Sequence, residues 1–304
     1  MKKYSLEEFQ DLVKSERKKC TKPYELVYKG FLSLKYDQKD AAFFFENAST
    51  IVEKLRSFCW DTYVPEEKQF MSKMLKILVN DSAFAGLSPR ETIESFVTTY
   101  PEHIYQLCLS NTQSRRSRAG KEFEAIIELL MMGANISMDT QGNIGKKVFV
   151  EKSLGKLVDI VSPGVVEYEI DKNYTCLISA KTTLRERWQE VPEEMSRTGA
   201  SQMFLATLDD SITSEVLNTL YESNIRIVTT KRNKQENYAS ERRVIDFEKL
   251  LEICNANQTH WDKDTYNEDE KSSVIENIDK QIKKHKKHKF VSDYYKIRKE
   301  ALEK

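Results

Sequence analysis

The segment VDIVSPGVVEYEIDKNYTCLISAKTTLRERWQEVPEE, Val158 to Glu194, decides how this chain is read. An apolar run, Leu157–Val161, carries Asp159. After an acidic, hairpin-like connection, a second run, Tyr174–Ala180, delivers Lys181. A charged, helix-like stretch follows with Arg185, Glu186 and Arg187, then Glu190, Glu193 and Glu194. An acid and a lysine at the ends of adjacent strands, with a further acid on the next helix, can assemble a metal-dependent phosphodiesterase site. Such hydrolysis needs hard oxygen ligands, a positioned water and charge relief at phosphorus. Carboxylates suit Mg²⁺, which takes one or two of them and keeps several waters. A lysine can orient the water or neutralise developing phosphate charge. The Ser179–Ala180 strand end offers a carbonyl as an extra ligand. Arginine matches guanine O6/N7 and glutamate accepts from cytosine N4, so Arg185, Glu186 and Arg187 fit a G·C-rich DNA target. Residue types alone leave strand-end surface charges and a solvated, ion-paired helix turn as alternatives.

Outward from this segment the periodicity changes. Residues 1–110 repeat at helical spacing, with Leu6, Phe9, Leu12, Val13 and later Phe70, Met74, Leu75, Leu78 on common faces. Pro65, Pro89 and Pro101 read as breaks, and Ser88 with Glu91 reads as a capping box. A long helix is expected over 114–135, closed by Gly133. Strands are expected at 147–150, 157–161, 165–170, 174–180, 202–208 and 225–229, with helices at 184–197 and 213–222. The fold class is therefore an α/β core behind a helical region. The domains are a helical N-terminal region (1–110) for DNA contact and dimer support, a catalytic and recognition core (111–250), and a charged helical C-terminal segment (251–304). The last contains Lys280–Lys289, KQIKKHKKHK, which is either a solvated helix face or a phosphate-contacting arm.

Composition narrows the classes. Hydrophobic residues at 39% exclude global disorder. The 48 basic and 48 acidic side chains cancel, so any DNA contact must come from local clusters rather than total charge. Five scattered cysteines without a Cys-x-x-Cys pair, and four histidines off metal-ligand spacing, point to reduced thiols and no zinc. The amphipathic, charged N-terminus is no signal peptide, and no apolar run approaches bilayer length, so a soluble, cytoplasmic protein is expected.

Two motifs carry a resemblance. Lys181-x₁₂-Glu194, with Ser179 where nucleases of this type usually have an acid, resembles the variant PD-(D/E)xK motif of type II restriction endonucleases in the EcoRII/SsoII/PspGI group. Ser114–Glu124, SRRSRAGKEFE, resembles the same group's helix motif. Chain length and the helical N-terminal region resemble its SsoII-like branch, and Val158 stands where the motif's name implies proline. The resemblance implies a restriction-endonuclease-like core with a mixed central sheet flanked by helices. It implies Asp159 and Glu194 as Mg²⁺ ligands, Lys181 as the catalytic lysine and Glu124 beside the metal. Arg185, Glu186, Arg187 and Gln113 would contact bases. It also implies a homodimer cutting double-stranded DNA at CCNGG or CCWGG, with a cytosine methyltransferase acting on the same site without direct binding. Arg56 and Trp60 stand four apart at helical spacing, and by the same resemblance they would shelter an extruded central base. The competing expectations are a non-catalytic, sequence-specific DNA-binding regulator and a repair or transposition nuclease of the same fold.

Overall fold

Three parallel strands buried on both faces form the centre of the molecule. They are β3 (Cys176–Lys181), β4 (Met203–Thr207) and β5 (Ile225–Thr229). Burial on two faces is why each reads as a near-continuous apolar run rather than an alternation. β1 (Asp139–Thr140) and β2 (Ile160–Ser162) extend the sheet antiparallel beyond β3, and β6 (Ile245–Asp246) extends it parallel beyond β5. Among the described residues, the six strands lie in chain order. The computed structural model describes residues 4–79, 84–152, 154, 158–261 and 265–304.

Among the described residues, five α-helices precede the sheet: α1 (Leu6–Arg17), α2 (Pro23–Ser33), α3 (Ala41–Leu78), α4 (Pro89–Thr99) and α5 (Pro101–Gly133). Between and after the strands come α6 (Gln141–Ile144), α7 (Lys146–Glu151), α8 (Val165–Ile170), α9 (Glu190–Thr198), α10 (Ser214–Glu222), α11 (Lys231–Asn237), α12 (Phe247–Gln258), α13 (Glu268–Lys284) and α14 (Lys289–Glu303). One apolar core joins the sheet to α2, α3, α5 and α12. A smaller cluster of Phe9, Val13, Phe70, Met74, Leu78, Tyr100 and Leu107 ties α1 to the far end of α3 and the start of α5. α5 packs along both α3 and β3, and so links the helical region to the sheet.

The mixed sheet with its helical N-terminal region is the fold expected. The capping box is also present: Glu91 N–H donates to Ser88 Oγ at 3.3 Å, and Ser88 N–H donates to Glu91 Oε2 at 2.8 Å. Several local expectations fail. Residues 147–150 and 165–170 are helical, in α7 and α8, and not strands. The connection between β2 and β3 is therefore α8 and a 3₁₀ turn at Lys172–Tyr174, not a hairpin. Of the predicted strand 157–161, Leu157 lies outside the described residues, and the observed strand runs to Ser162. Pro65 lies inside α3 and does not end it, while Pro89 and Pro101 open helices, where the missing N–H breaks no bond. The long helix begins at Pro101 rather than 114. Gly133 is its last residue, but for a packing reason: a Cβ there would come within 2.2 Å of the Phe44 ring. The left-handed residue after the helix is Asn135 (φ 56°).

Candidate active site

Antiparallel pairing of β2 with β3 brings Asp159 to Lys181 across 22 positions of sequence. Ile160 pairs with Ile178, so the start of β2 lies beside the end of β3, and Asp159 N–H donates to the Ile178 carbonyl at 3.0 Å. Asp159 Oδ2 accepts from Ala180 N–H at 2.7 Å and from Lys181 Nζ at 2.9 Å. Lys181 also donates to the Ala180 carbonyl at 3.2 Å. Among the described residues, the Asp159 carboxylate takes the Ala180 and Lys181 bonds both on Oδ2. Both side chains are about seven-eighths buried, at 13% and 14% exposure, so screening by water is weak. Burial raises the Asp159 carboxyl, with Lys181 and the Ala180 N–H opposing that shift.

α5 adds a second carboxyl. Glu124 is pushed up to about 7 by burial first and by the Asp159 charge second, while Lys181 and Lys121 pull it back. One turn on, Glu128 is buried and also raised to about 7 by desolvation; it accepts from Asn143 Nδ2 at 2.8 Å. Glu128 went unnoticed in the sequence, although its i,i+4 relation to Glu124 on a helix was a signal within reach.

α9 carries the remaining acids. Glu194 belongs to this helix, but its side chain lies outside the described residues. Glu190 is exposed, and exposed Glu193 pairs with Arg197 one turn away. The Arg185–Gln189 run is a 3₁₀ turn directly after β3. Arg185 is exposed with φ 44°, a left-handed conformation that a side chain with Cβ adopts at a cost. The Glu186 and Arg187 side chains lie outside the described residues. Gln113 is exposed within α5, rather than in a loop before it.

Arg56 and Trp60 both lie on α3. Trp60 is half exposed, and the Arg115 guanidinium sits 5.6 Å over its ring. Arg115 is itself held by the buried Glu67 carboxylate, with its Nε donating at 2.8 and 3.0 Å. Arg56 pairs with buried Glu122 at 3.5 Å. The structure thus places Asp159, Lys181 and Glu124 together at one sheet end. It does not bring Arg56 onto the Trp60 ring.

The Lys280–Lys289 run divides. Lys284 donates to Asn143 Oδ1 at 2.7 Å and to the Gly142 carbonyl, and His285 and His288 are buried against each other. Lys283, Lys286, Lys287 and Lys289 are exposed. No helix among the described residues is long and apolar enough to cross a membrane.

Comparison with known proteins identifies the family. Residues 87–251 match the family described as EcoRII C terminal. The chain is also 49% identical to the type II restriction enzyme SsoII of Shigella sonnei over 303 residues, covering 99% of each sequence. It belongs to the EcoRII C-terminal family. The chain is a type II restriction endonuclease, and the regulator and repair-nuclease alternatives fall away. Its backbone is similar to metal-depleted Ecl18kI in complex with uncleaved, modified DNA, at 48% identity and TM-score 0.94, covering 98% of this chain and 100% of that one. A complex of restriction endonuclease PspGI with substrate DNA is similar at TM-score 0.55 and 16% identity, over 79% of this chain and 94% of that one, a likeness of fold.

Proposed function

We propose that this endonuclease is a cytoplasmic homodimer that hydrolyses double-stranded DNA at CCNGG with Mg²⁺, one active site per strand. The observation that carries the proposal is the buried Asp159–Lys181 pair with the Glu124 carboxyl forced up to about 7 beside it. Carboxylates this close resist ionising together, and a hard divalent cation relieves that repulsion, so the donor set fits Mg²⁺. Asp159 and Glu194 would hold it. When bound, the ion supplies an activated water and charge relief at the phosphate. The solved complex of a 48% identical relative, metal-depleted with uncleaved DNA, supports a metal requirement.

The protein's own groups do the rest. Two acceptors, Asp159 Oδ2 and the Ala180 carbonyl, fix the Lys181 ammonium at the strand end, and its remaining proton is available to a phosphate oxygen or the attacking water. Glu124, half-protonated near neutrality, can take a proton from that water or share the cation's charge. Arg185, Glu186, Arg187 and Gln113 read base edges. Arg56 and Trp60 shelter the central base after it leaves the stack. Trp60 offers a ring face that grips any base, which favours CCNGG over CCWGG. For this, Arg115 must give up the Trp60 face and Arg56 its bond to Glu122. Residues 1–110 support the dimer and its DNA contact, residues 111–250 cut and read, and the exposed lysines of segment 251–304 touch phosphate. A cytosine methyltransferase protecting the same site would act without touching the endonuclease.

The test is digestion of DNA of known sequence by the purified dimer with and without Mg²⁺, followed by mapping of the ends. Uniform cleavage before the first C of CCNGG, abolished by chelation, is expected. Cleavage at unrelated sites, or undiminished cleavage in chelator, refutes the reading.

A further inference from the structure

The turn after β3 is anchored by a carboxylate from the loop that follows the neighbouring strand. Leu184, the last residue before the Arg185–Gln189 turn, is 2% exposed, and its N–H donates to Asp209 Oδ2 at 2.8 Å. Asp209 follows β4, whose C-terminal end lies parallel to that of β3. A second tie joins the two loops, as Leu208 N–H donates to the Thr182 carbonyl at 3.2 Å.

Asp209 is itself fixed on every polar atom. Its N–H donates to Thr207 Oγ1 at 3.1 Å, and Oδ1 accepts from Ser211 N–H and Oγ, each at 3.2 Å. Its carbonyl accepts from Asn233 Nδ2 and from the Tyr238 hydroxyl, each at 2.9 Å. Tyr238, 3% exposed, accepts in turn from Ile212 N–H at 3.0 Å. The very next residue after the clamped Leu184 is Arg185, in the left-handed region at φ 44°. Backbone strain of this kind persists only where the surroundings over-determine it.

We propose that Asp209 is a specificity-positioning residue: its carboxylate on the Leu184 N–H, locked by Ser211, Asn233 and Tyr238, sets the register in which Arg185, Glu186 and Arg187 meet the base edges. Asp209 touches no base in this account and acts through the turn. The inference rests on the proposal that this run reads the DNA. A charge-assisted bond to a buried N–H is among the stronger ones, and deleting its acceptor orphans the donor. The turn then relaxes out of the left-handed conformation, and each bidentate base contact downstream loses alignment.

The experiment measures binding of the full-length protein, without Mg²⁺, to a CCNGG duplex and to the same duplex with one outer G·C pair changed. The ratio of the two affinities is the readout. A variant that merely unfolds in part lowers its active fraction, which leaves the ratio unchanged. Asp209→Ala is expected to shrink the ratio about tenfold or more, where tenfold corresponds to about 1.4 kcal/mol, with its salt slope on the altered duplex intact. Asp209→Asn keeps one acceptor for Leu184 N–H but opposes Ser211 N–H with an amide, so it should recover part of the loss. Tyr238→Phe, which removes one of two donors to the Asp209 carbonyl and the acceptor of Ile212 N–H but leaves the carboxylate on Leu184 N–H, is expected to shrink the ratio about threefold, by the same relation. An undiminished ratio in Asp209→Ala or, should that variant not fold, in Tyr238→Phe overturns the proposal. Arg187→Ala separates the two ideas. If it loses discrimination while Asp209→Ala keeps it, the clamp is wrong; if Arg187→Ala keeps it too, the reading of the run itself fails.

Discussion

Glu128→Gln tests how dry the floor beneath the active site is. Glu128 is 6% exposed, and burial lifts its carboxyl from the ordinary 4.5 to about 7. The Asn143 amide, the Lys284 charge and the Tyr24 hydroxyl offset this only in part. His285, driven down to about 3 by burial and by His288 and Lys284, stays neutral, and Lys284 spends its protons on Asn143 and the Gly142 carbonyl. The sign follows from linkage. Below pH 4.5 the group is protonated folded or unfolded and contributes nothing that varies. Between 4.5 and about 7 the folded protein keeps a proton that the unfolded chain gives up, so stability falls as pH rises, and it levels off above 7. At about 1.4 kcal/mol per pH unit, the whole loss is on the order of 3 kcal/mol, about 2 of it between roughly pH 5.5 and 8. Glutamine keeps an acceptor for Asn143 and removes the ionisation. Urea unfolding of both proteins across that range, at one fixed protein concentration, gives the difference directly. The variant should gain on the parent by about 2 kcal/mol toward alkaline pH. A flat difference would mean that water reaches the carboxylate. A difference of opposite slope would mean that Lys284 pairs with it.

Lys181→Ala should cut cleavage by about a hundredfold or more while leaving affinity for the target duplex nearly intact, because the ammonium acts on the phosphate and not on bases; single-turnover rates beside gel-shift titrations check this. Glu194→Ala should abolish Mg²⁺-dependent cutting and Glu190→Ala should not, and the reverse pattern would move the metal ligand one turn back along α9. With 2-aminopurine at the central position and Ca²⁺ in place of Mg²⁺, binding should change the probe's fluorescence, and Trp60→Ala should alter that change and weaken binding by roughly 1–3 kcal/mol. A signal equal to free duplex in both proteins returns Trp60 to a surface aromatic.

What was legible in the sequence follows burial. β3, β4 and β5 are covered on both faces and declare themselves as apolar runs, and they position Lys181. Val165–Ile170 reads equally well as a half-buried strand, yet it folds as α8 because Val165, Val166, Glu167 and Tyr168 are all buried, with Tyr168 reaching back to the Thr198 carbonyl. An apolar run of four to six residues cannot distinguish the two periods, and the same ambiguity hid α7. The approach of Asp159 to Lys181 was readable as two strand ends, but the partnership of Asp209 with Leu184 joins separate loops and leaves no local trace. Arg115 over Trp60 escaped for the same reason, since 55 positions separate them.

Strand β3 ends in Lys181, and the Arg185 turn begins four residues later. Four residues span at most about 14 Å, so if Lys181 cuts and the Arg185 turn reads, as proposed, the two groups hang from one short segment. A substitution that tilts the turn toward a new sequence tugs the lysine with it. Lineages carrying this arrangement should therefore diversify their targets poorly by single changes and hold one site over long evolutionary spans, since each trial specificity arrives with a damaged blade.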